Sequence, residues 1–262
     1  MKMSDARVLL TGASGGIGRA MRLALQDAGA AVLGTGRGTM SPLPDSLAWV
    51  RADLTTPAGI AAVTESAAQR GVNVVVHAAG VPAFGPLLAM SPTQVMHVIQ
   101  ANLLAPLLLT HAMLPRLQRL PRAQVIFVGS TLGRIGLPGF SIYGASKSGL
   151  HGFAEALRRE LSDTPVLVQI LAPRSTRTGF NCAGVDAYNR ATRTTTDDPA
   201  VVADALIRLI ETEAAEHFLG FPERLAVRMN ALLGAVLDGG FATHRRAVSS
   251  TSMHSTTGVT PS

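Results

Sequence analysis

The stretch Thr11-Gly12-Ala13-Ser14-Gly15-Gly16-Ile17-Gly18 stands between an apolar run, Val8–Leu10, and a helical pattern that begins at Arg19. Glycines at such a junction allow a tight turn and let backbone N–H groups approach a pyrophosphate closely. The helix that follows would point its positive end at the phosphates. A Gly-rich loop can also serve only as a turn. Its position between a first strand and a first helix is what indicates a dinucleotide site.

The same alternation of apolar runs and helical patterns continues along the chain. The apolar runs are rich in Val and Ile, which favour strands, and the segments between them have helix length. Repeated βαβ units predict an α/β fold with a doubly wound parallel sheet of the Rossmann type, in three layers, α/β/α. The predicted strands are 8–10, 31–35, 72–77, 124–129 and 166–171, and the predicted helices are 17–29, 57–70, 91–118, 141–162 and 198–211.

A single domain is expected over residues 1–247, because 262 residues with 47% hydrophobic side chains can build one large core. Within it, 174–197 is predicted to be a lid or binding loop, with a plain surface excursion as the alternative. An apolar stripe predicts an extra helix over 222–238. The Ser- and Thr-rich end, 248–262, is predicted to be disordered.

Composition and charge exclude several classes of partner. The net charge is +6, but the arginines are scattered and aromatic residues make up only 4%, so no nucleic acid is expected to bind. The charge is interpreted as attraction for small anionic ligands such as a phosphorylated cofactor. Cys182 is the only cysteine, which excludes an internal disulfide and predicts a reducing, cytoplasmic location. The histidines show no ligand spacing, so no metal is expected.

No secretory signal is predicted at the start of the chain. The apolar region 102–114 is interrupted by Pro106 and is shorter than the ~18 residues that span a bilayer. Arginines flank the predicted helix 222–238, so contact with a membrane surface through 222–246 is an alternative. The favoured interpretation is that its stripe packs on the domain or against another subunit, and a homo-oligomer, dimer or tetramer, is expected.

Tyr143 and Lys147 stand four positions apart in a helical run, although the chain holds only two tyrosines and two lysines. A spacing of four places both side chains on one face of a helix. The ammonium is expected to lower the phenol pKa from about 10 towards neutrality. Tyr143 would then be a proton donor and acceptor, and the alternative is a solvated helix face with a half-buried tyrosine.

Residues after the second and third strands indicate the cofactor. Gly34–Thr39 contains no carboxylate that would repel a 2′-phosphate, and Arg37 offers a planar donor fork, so NADP(H) is favoured over NAD(H). Alternatively, Arg37 stacks on the adenine or faces solvent. Asp53-Leu54 follows the third strand, where the carboxylate would accept a bond from the adenine amino group or cap a helix.

Two further polar residues stand at informative positions. Ser130 follows an apolar strand, where its hydroxyl can bond a substrate carbonyl oxygen, although a serine there is also a common turn residue. Asn102 lies inside an apolar helical pattern, where an unpaired amide would be costly. It is expected either to satisfy a neighbouring backbone group or to hold a water.

These residues, in this order, resemble the short-chain dehydrogenase/reductase family from about Arg7 to Thr178, and less distinctly to about residue 240. The resemblance implies one dinucleotide-binding domain and reversible hydride transfer between NAD(P) and a carbonyl or alcohol. It implies that Tyr143 protonates the developing alkoxide and that Ser130 polarises the carbonyl. It also implies that Lys147 lowers the phenol pKa and binds the nicotinamide ribose, and that Asn102 holds a water in the proton relay. The residues expected to hold the cofactor are Gly12, Ser14, Gly16, Ile17, Gly18, Arg37, Asp53, Leu54, Ala79, Gly80, Tyr143, Lys147, Pro173 and Thr178.

The chain departs from the family's pattern at two places. His77-Ala78-Ala79-Gly80 stands where the family usually has Asn-Asn-Ala-Gly, which removes amides that tie this turn to its neighbours. Pro173 is followed by Arg174 rather than the common glycine. Arg174 and Arg177 are expected either to meet an anionic substrate group or to face water.

The predicted function is NADPH-dependent reduction of a ketone or aldehyde to an alcohol. The first substrate class is a 3-oxoacyl thioester or a related lipid-like or polyketide-like intermediate. One alternative is NAD(P)-dependent oxidation of a secondary alcohol in a sugar or steroid. An alternative of another class is a regulatory module that binds NADP(H) without turnover, which the presence of Tyr143, Lys147 and Ser130 argues against.

Overall fold

Seven parallel strands form one sheet in the order β3-β2-β1-β4-β5-β6-β7. The computed structural model describes residues 1–38, 47–220, 227, 229–230 and 238–255. The strand order reverses between β1 and β4, which confirms the doubly wound Rossmann-type sheet and puts a crevice at the strands' carboxyl ends. The strands are β1 Arg7–Thr11, β2 Ala31–Gly36, β3 Leu47–Arg51, β4 Val74–His77, β5 Ala123–Val128, β6 Val166–Ala172 and β7 Glu216–Phe218.

Several helices begin where the sequence supplies a capping side chain. The Thr56 hydroxyl accepts a bond from the Gly59 N–H, and the Asp198 carboxylate accepts one from the Ala200 N–H, each followed by a proline at the first helical position. Ser91 and Gln94 form a reciprocal capping box. The helices are α1 Gly16–Asp27, α2 Pro57–Gln69, α3 Pro92–Ile99, α4 Ala105–Leu117, α5 Ser141–Glu160, α6 Ala183–Ala191, α7 Pro199–Thr212 and α8 Ala242–Ser255.

The sheet separates two apolar layers, as the three-layer prediction requires. On one face, α1 and α7 pack on β1 and β4 through side chains such as Met21 and Leu206. On the other face, α2, α4 and α5 contribute Val63, Leu109 and Leu150. Because the central strands are covered on both sides, they read as continuous apolar runs.

Helices α3 and α4 are joined by a π-helical turn, Gln100–Leu104, into one helical stretch, Pro92–Leu117. Its 26 residues and mean hydropathy of 1.4 would by length and composition alone allow a membrane crossing. The predicted helix 91–118 is confirmed, and it continues through Pro106. The π turn has already shifted the hydrogen bonding, with the Ala105 N–H bonded to the Gln100 carbonyl, so the missing proline N–H is accommodated. Leu109 and Met113 of this stretch are fully buried in the core.

Four parts of the chain differ from the prediction or lie outside the described residues. Strand β3, implied before Asp53, exists, and its Trp49 ring occupies the space that a side chain at Gly34 would need. The segment 174–197 is not all loop, because it contains α6. The start of the predicted disordered tail is helical, since α8 continues to Ser255, and 256–262 lie outside the described residues. The predicted helix 222–238 also lies almost entirely outside them.

Candidate active site

One cavity of about 820 Å³ lies at the carboxyl ends of the strands, beside the reversal in strand order. Its size falls within the range of small-molecule and cofactor sites. It runs from the glycine-rich loop, past the ends of β4 and β5, to the lid, which we define as residues 174–197. Of the predicted site residues, those that line the cavity are Gly12, Ser14, Gly16, Ile17, Gly18, Arg37, Asp53, Leu54, Ala79, Gly80, Ser130, Tyr143, Lys147, Pro173 and Thr178. Asn102 is the exception and lies behind its wall.

The glycine-rich loop is held in a shape that side chains would prevent. Gly12 has φ +68°, and a Cβ there would lie 2.8 Å from the Ala79 Cα. A Cβ at Gly18 would lie 2.0 Å from the Gly12 carbonyl oxygen. Helix α1 starts with Gly15 as its N-cap, which provides no capping side chain, and has no acidic residue in its first turn. Its first N–H groups therefore suit an anionic phosphate.

The turn after β4 is tied to the glycine-rich strand despite the departure at His77-Ala78. The Thr11 hydroxyl accepts hydrogen bonds from the backbone N–H groups of Ala78 and Ala79, each 3.0 Å long. The His77 ring is buried, its Nε2 lies 2.9 Å from the Thr110 hydroxyl, and burial lowers its pKa to about 3. The ring therefore stays neutral and acts as a packed structural group, stacked on Phe127.

Arg37 and Asp53 line the end of the cavity near β2 and β3. Arg37 is exposed, and its carbonyl oxygen accepts a bond from Arg51 Nε at 3.0 Å. Asp53 Oδ1 accepts from the N–H and hydroxyl of Thr55, and those bonds lower the Asp53 pKa. The helix-capping alternative for Asp53 is wrong, because Thr56 caps α2. The Asp53 carboxylate is charged at neutral pH and available at the cavity surface.

Tyr143 and Ser130 form the polar centre of the cavity. Ser130 lies two residues after β5, and its side chain lies close enough to that of Tyr143, in the first turn of α5, to lower the phenol pKa. The Ser130 hydroxyl also accepts a bond of 3.1 Å from the Leu132 N–H. That bond fits the turn-residue alternative, and the position of Ser130 in the cavity wall beside Tyr143 fits the catalytic one. Two hydroxyls from different elements thus converge on one point.

The predicted pKa of Tyr143 is wrong in its direction. Burial raises the pKa of the Tyr143 phenol to about 12, and the Ser130 side chain lowers it by less than burial raises it. Lys147 does not offset this burial, since its Nζ lies 5.8 Å from the centroid of the phenol ring. Burial outweighs the ammonium because an anionic phenolate loses its hydration in the cavity wall. Tyr143 is therefore a neutral phenol, and a proton donor, at neutral pH.

Lys147 is anchored to the sheet and shares the cavity with Tyr143. Its Nζ donates a hydrogen bond of 2.8 Å to the Val128 carbonyl oxygen, and only 6% of the residue is exposed. Burial lowers the pKa of Lys147 to about 8. The one-face prediction from the spacing is confirmed, because both side chains line the same cavity.

Asn102 satisfies a neighbouring backbone group, which was one of its two predicted alternatives. It lies in the π turn, and its side-chain amide bonds both polar backbone groups of Val81, at 2.7 Å to the N–H and 3.0 Å to the carbonyl. It also donates to the Ser146 hydroxyl at 3.3 Å. A Cβ at Gly80, the residue before Val81, would lie 3.2 Å from Asn102 Oδ1, which is a tight contact. Asn102 therefore holds the turn after β4 in place against α5.

The lid is closed by an ion pair that the sequence did not predict. Arg174 pairs with both oxygens of Asp197, at 2.9 and 2.7 Å, and also lines the cavity, so it does not face water alone. Arg177 is largely exposed and donates to the Thr196 carbonyl oxygen. Thr178 packs on the glycine-rich loop so closely that a Cβ at Gly16 would lie 2.5 Å from the threonine Cβ. The lid thus covers the loop directly.

Aromatic residues that sequence reasoning did not select line the lid end of the cavity. Tyr188 of α6 is buried against Phe140 and Phe84, with ring centroids 5.3 and 5.4 Å apart. Its hydroxyl lies 2.5 Å from His244 Nδ1 of α8. The sequence does offer one indication of Tyr188, because the chain has only two tyrosines, and both line this cavity. Phe180 and Phe241 complete the apolar end.

Comparisons with known proteins agree with this geometry. A profile of the family described as short chain dehydrogenase matches residues 6–188. The chain is 30% identical over 228 residues to a 3-oxoacyl-[acyl-carrier-protein] reductase, FabG, of Vibrio cholerae, which covers 82% of this chain and 93% of that protein. Its fold is similar to a short-chain dehydrogenase of Streptomyces avermitilis, with 28% identity and a TM-score of 0.77 over 89% of this chain and 96% of that one. It is also similar to a Burkholderia cenocepacia short chain dehydrogenase in complex with NADP, with 22% identity and a TM-score of 0.80 over 92% and 99% of the two chains.

Proposed function

This chain belongs to the short-chain dehydrogenase family and is an NAD(P)-dependent oxidoreductase, and we propose that it uses NADPH to reduce a ketone or aldehyde to an alcohol. The observation that carries this proposal is that the Ser130 and Tyr143 side chains lie together in the wall of the cavity that continues to the glycine-rich loop. A neutral phenol beside a second hydroxyl is what a carbonyl oxygen needs while it gains negative charge.

The cavity residues fit a dinucleotide. The glycine-rich loop would hold the pyrophosphate through the uncapped N–H groups at the start of α1, where a side chain at Gly18 would collide with the backbone. Asp53 would receive the adenine amino group, and Lys147 and Thr178 would contact the nicotinamide end. When bound, the nicotinamide supplies the hydride.

Arg37 supports the preference for the phosphorylated cofactor. It is the exposed cation at the end of β2, and it lines the cavity next to Asp53. A guanidinium can bond a 2′-phosphate through two charge-assisted N–H groups, and it binds a neutral ribose hydroxyl more weakly. Arg37→Ala is expected to weaken NADPH binding by ~10-fold or more and to change NADH binding little. Equal losses for both cofactors would contradict the preference.

The neutral state of Tyr143 fits the proposed reduction. A phenol with a pKa of about 12 holds its proton at neutral pH and can donate it to the developing alkoxide. The proposed direction rests on the preference for NADPH and on the named activity of the Vibrio cholerae relative. Ser130 would bond the same carbonyl oxygen, and the tie between Asn102 and Val81 would hold the wall beside them.

The proposed substrate class is a 3-oxoacyl thioester or a related lipid-like or polyketide-like ketone. The lid end of the cavity is apolar and aromatic, with Phe140, Phe180 and Phe241 in its wall. Such a wall suits an acyl or ring-bearing chain more than a sugar. The named activity of the Vibrio cholerae relative, reduction of a 3-oxoacyl group on acyl carrier protein, points to the same class.

Turnover with purified protein tests the proposal. NADPH consumption would be followed with a panel that contains a 3-oxoacyl thioester, cyclic ketones and aldehydes, and the reverse reaction with NADP and secondary alcohols. We expect reduction of at least one ketone, abolished in Tyr143→Phe while the fold and NADPH binding are retained. Tight NADPH binding with no turnover in either direction would support the module that binds without reacting. A cytoplasmic location and a dimeric or tetrameric assembly remain predictions.

A further inference from the structure

A third side chain, His151, extends the face of α5 that carries Tyr143 and Lys147. The three residues follow one another at intervals of four, so they form one column on the helix. Lys147 Nζ bonds the Val128 carbonyl oxygen at 2.8 Å, and His151 Nε2 lies 3.2 Å from the Ser130 carbonyl oxygen. Through these two contacts, α5 bonds the carbonyl groups of Val128, at the end of β5, and of Ser130, two residues further on.

The surroundings of His151 leave space for its ring and little else. His151 is 1% exposed. A Cβ at Gly129 would lie 2.6 Å from its Nε2, and a Cβ at Gly133 would lie 2.6 Å from its Cδ2. On another side the ring stacks on Phe218 of β7, with centroids 5.8 Å apart and planes 26° apart. The two glycines on either side of Ser130's turn thus make a slot for this imidazole.

The hydrogen bonding of His151 assigns its tautomer. The Ser130 carbonyl oxygen can only accept, so Nε2 must carry the proton. Among the described residues, Nδ1 has no hydrogen-bond partner, which suits a bare ring nitrogen better than a buried N–H. Burial, with the charges of Arg134 and Lys147, lowers the pKa of His151 to about 4, although its bond to Ser130 and the charge of Glu155 act in the other direction. The ring is neutral at neutral pH.

We propose that His151 is a positioning residue for Ser130: its Nε2–H fixes the Ser130 carbonyl, and through it the direction in which the serine hydroxyl meets Tyr143. This role rests on the proposed function, in which Ser130 bonds the substrate carbonyl. The only other bond described to the Ser130 carbonyl comes from the Gly133 N–H at 3.0 Å. Without the imidazole, the Ser130–Thr131 peptide unit would keep the Gly133 bond and the bond of 3.1 Å from the Thr131 N–H to the Pro173 carbonyl, but it would lose its bond to α5. Small displacements of a hydroxyl beside a reacting oxygen are costly.

Two substitutions separate the hydrogen bond from the volume of the ring. His151→Leu has similar volume but no N–H, and His151→Gln offers an amide N–H at a similar reach. We expect kcat to fall ~10- to 100-fold in His151→Leu and to recover to within ~3-fold of wild type in His151→Gln, with KM for NADPH unchanged in both. His111→Leu, at an exposed position of α4, is the control and should be silent. If His151→Leu does not fold, His151→Met replaces it.

If His151 acts by positioning Ser130, its effect on kcat should depend on the presence of the serine hydroxyl. In a Ser130→Ala background, His151→Leu should lower kcat by less than ~2-fold further, because no hydroxyl is left to position. A full additional loss in that background, or equal losses in the Leu and Gln variants, would overturn the proposal and leave His151 as a packing residue.

A readout without turnover keeps this inference separate from the proposed function. Nitrogen NMR of labelled histidine should show His151 protonated at Nε2 and bare at Nδ1 at neutral pH, with no titration above about pH 5. Protonation at Nδ1, or an imidazolium at neutral pH, would overturn the positioning role even if wild-type enzyme reduces ketones. If the tautomer is as expected but the protein reduces no carbonyl, the proposed function is wrong, while the bond from His151 to the Ser130 carbonyl still stands.

Discussion

The face of α5 and the lid enclose the same cavity, but they are held in place by different kinds of contact. Lys147 and His151 bond backbone carbonyl groups at the end of β5, and both are almost completely buried. The lid is held by backbone bonds between its two ends, such as that from the Asp197 N–H to the Ser175 carbonyl at 2.9 Å, and by side-chain pairs between residues far apart in sequence. Arg174 pairs with Asp197, 23 residues on, and Tyr188 bonds His244, 56 residues on.

This difference indicates which region sets the rate and which sets the affinity. The Val128 carbonyl, which Lys147 bonds, belongs to the last residue of β5, a strand paired with both β4 and β6. The Ser130 carbonyl, which His151 bonds, lies two residues beyond it, so both are held close to the frame of the sheet. The side-chain pairs of the lid lie outside the sheet, and its two ends are joined by an isolated β-bridge between Thr176 and Asp197. We therefore expect changes on α5 to lower kcat, and changes in the lid to alter KM.

The largest expected effect comes from removing the anchor of α5. Lys147→Met should lower kcat by ~10²- to 10³-fold, because the loss frees the Val128 carbonyl and removes the cation beside the reacting oxygen. Steady-state kinetics with NADPH and the best ketone from the panel would measure it. The chain has one other lysine, so Lys2→Met is a matched control that should keep full activity. A loss confined to KM would contradict the division between the two regions.

The next effect tests whether the wall beside α5 is fixed by its polar bonds. Asn102→Ala would leave both backbone groups of Val81 without their buried partner, so the free energy of unfolding should fall by about 2–4 kcal/mol. Asn73 is a matched control, since its amide also bonds two backbone groups, those of Arg7 and Asp5, but at the surface. Asn73→Ala should cost about 1 kcal/mol or less, because water replaces its bonds. Urea unfolding would compare them, and equal costs would show that burial is not what makes Asn102 important.

Sequence reasoning succeeded where contacts are local or periodic. The spacing of four put Tyr143 and Lys147 on one face, and the glycines at 12 and 18 were selected because strand, turn and helix follow directly from one another. The predicted helix 198–211 agrees with α7, whose N-cap is Asp198. These features depend on steric and hydrogen-bonding rules that act within a few residues.

The rest depended on long-range geometry. The pKa of Tyr143 could not be read from Lys147 four residues away, because burial by distant elements decides it. Arg174 finds Asp197 only once the lid folds back on itself, and nothing in the local sequence connects them. His151 was not selected either, although it continues the interval of four, because the slot made by Gly129 and Gly133 exists only after β5 meets α5.

A pH measurement tests the buried state of α5 without catalysis. The Lys147 pKa is lowered from 10.5 to about 8, so between those values the unfolded chain binds more protons than the folded one. The free energy of unfolding should therefore rise by about 2 kcal/mol between about pH 7.5 and 9.5. Tyr143, with its pKa raised to about 12, acts in the opposite direction only above about pH 10. Urea unfolding of Lys147→Met should lack the rise, and an unchanged rise would assign it to another group.

The smallest expected effect belongs to the lid. Arg174→Met should raise KM for the ketone by ~3- to 10-fold and leave kcat within ~2-fold, because the partly buried pair with Asp197 orders the lid but touches no reacting atom. Arg177→Met is the control, since its side chain is 60% exposed and lies 3.6 Å from Asp198, where solvent screens the pair. If Arg174→Met lowered kcat as much as Lys147→Met does, the lid would also determine the rate. The two regions would then differ in their stabilising contacts and not in their effect on kcat.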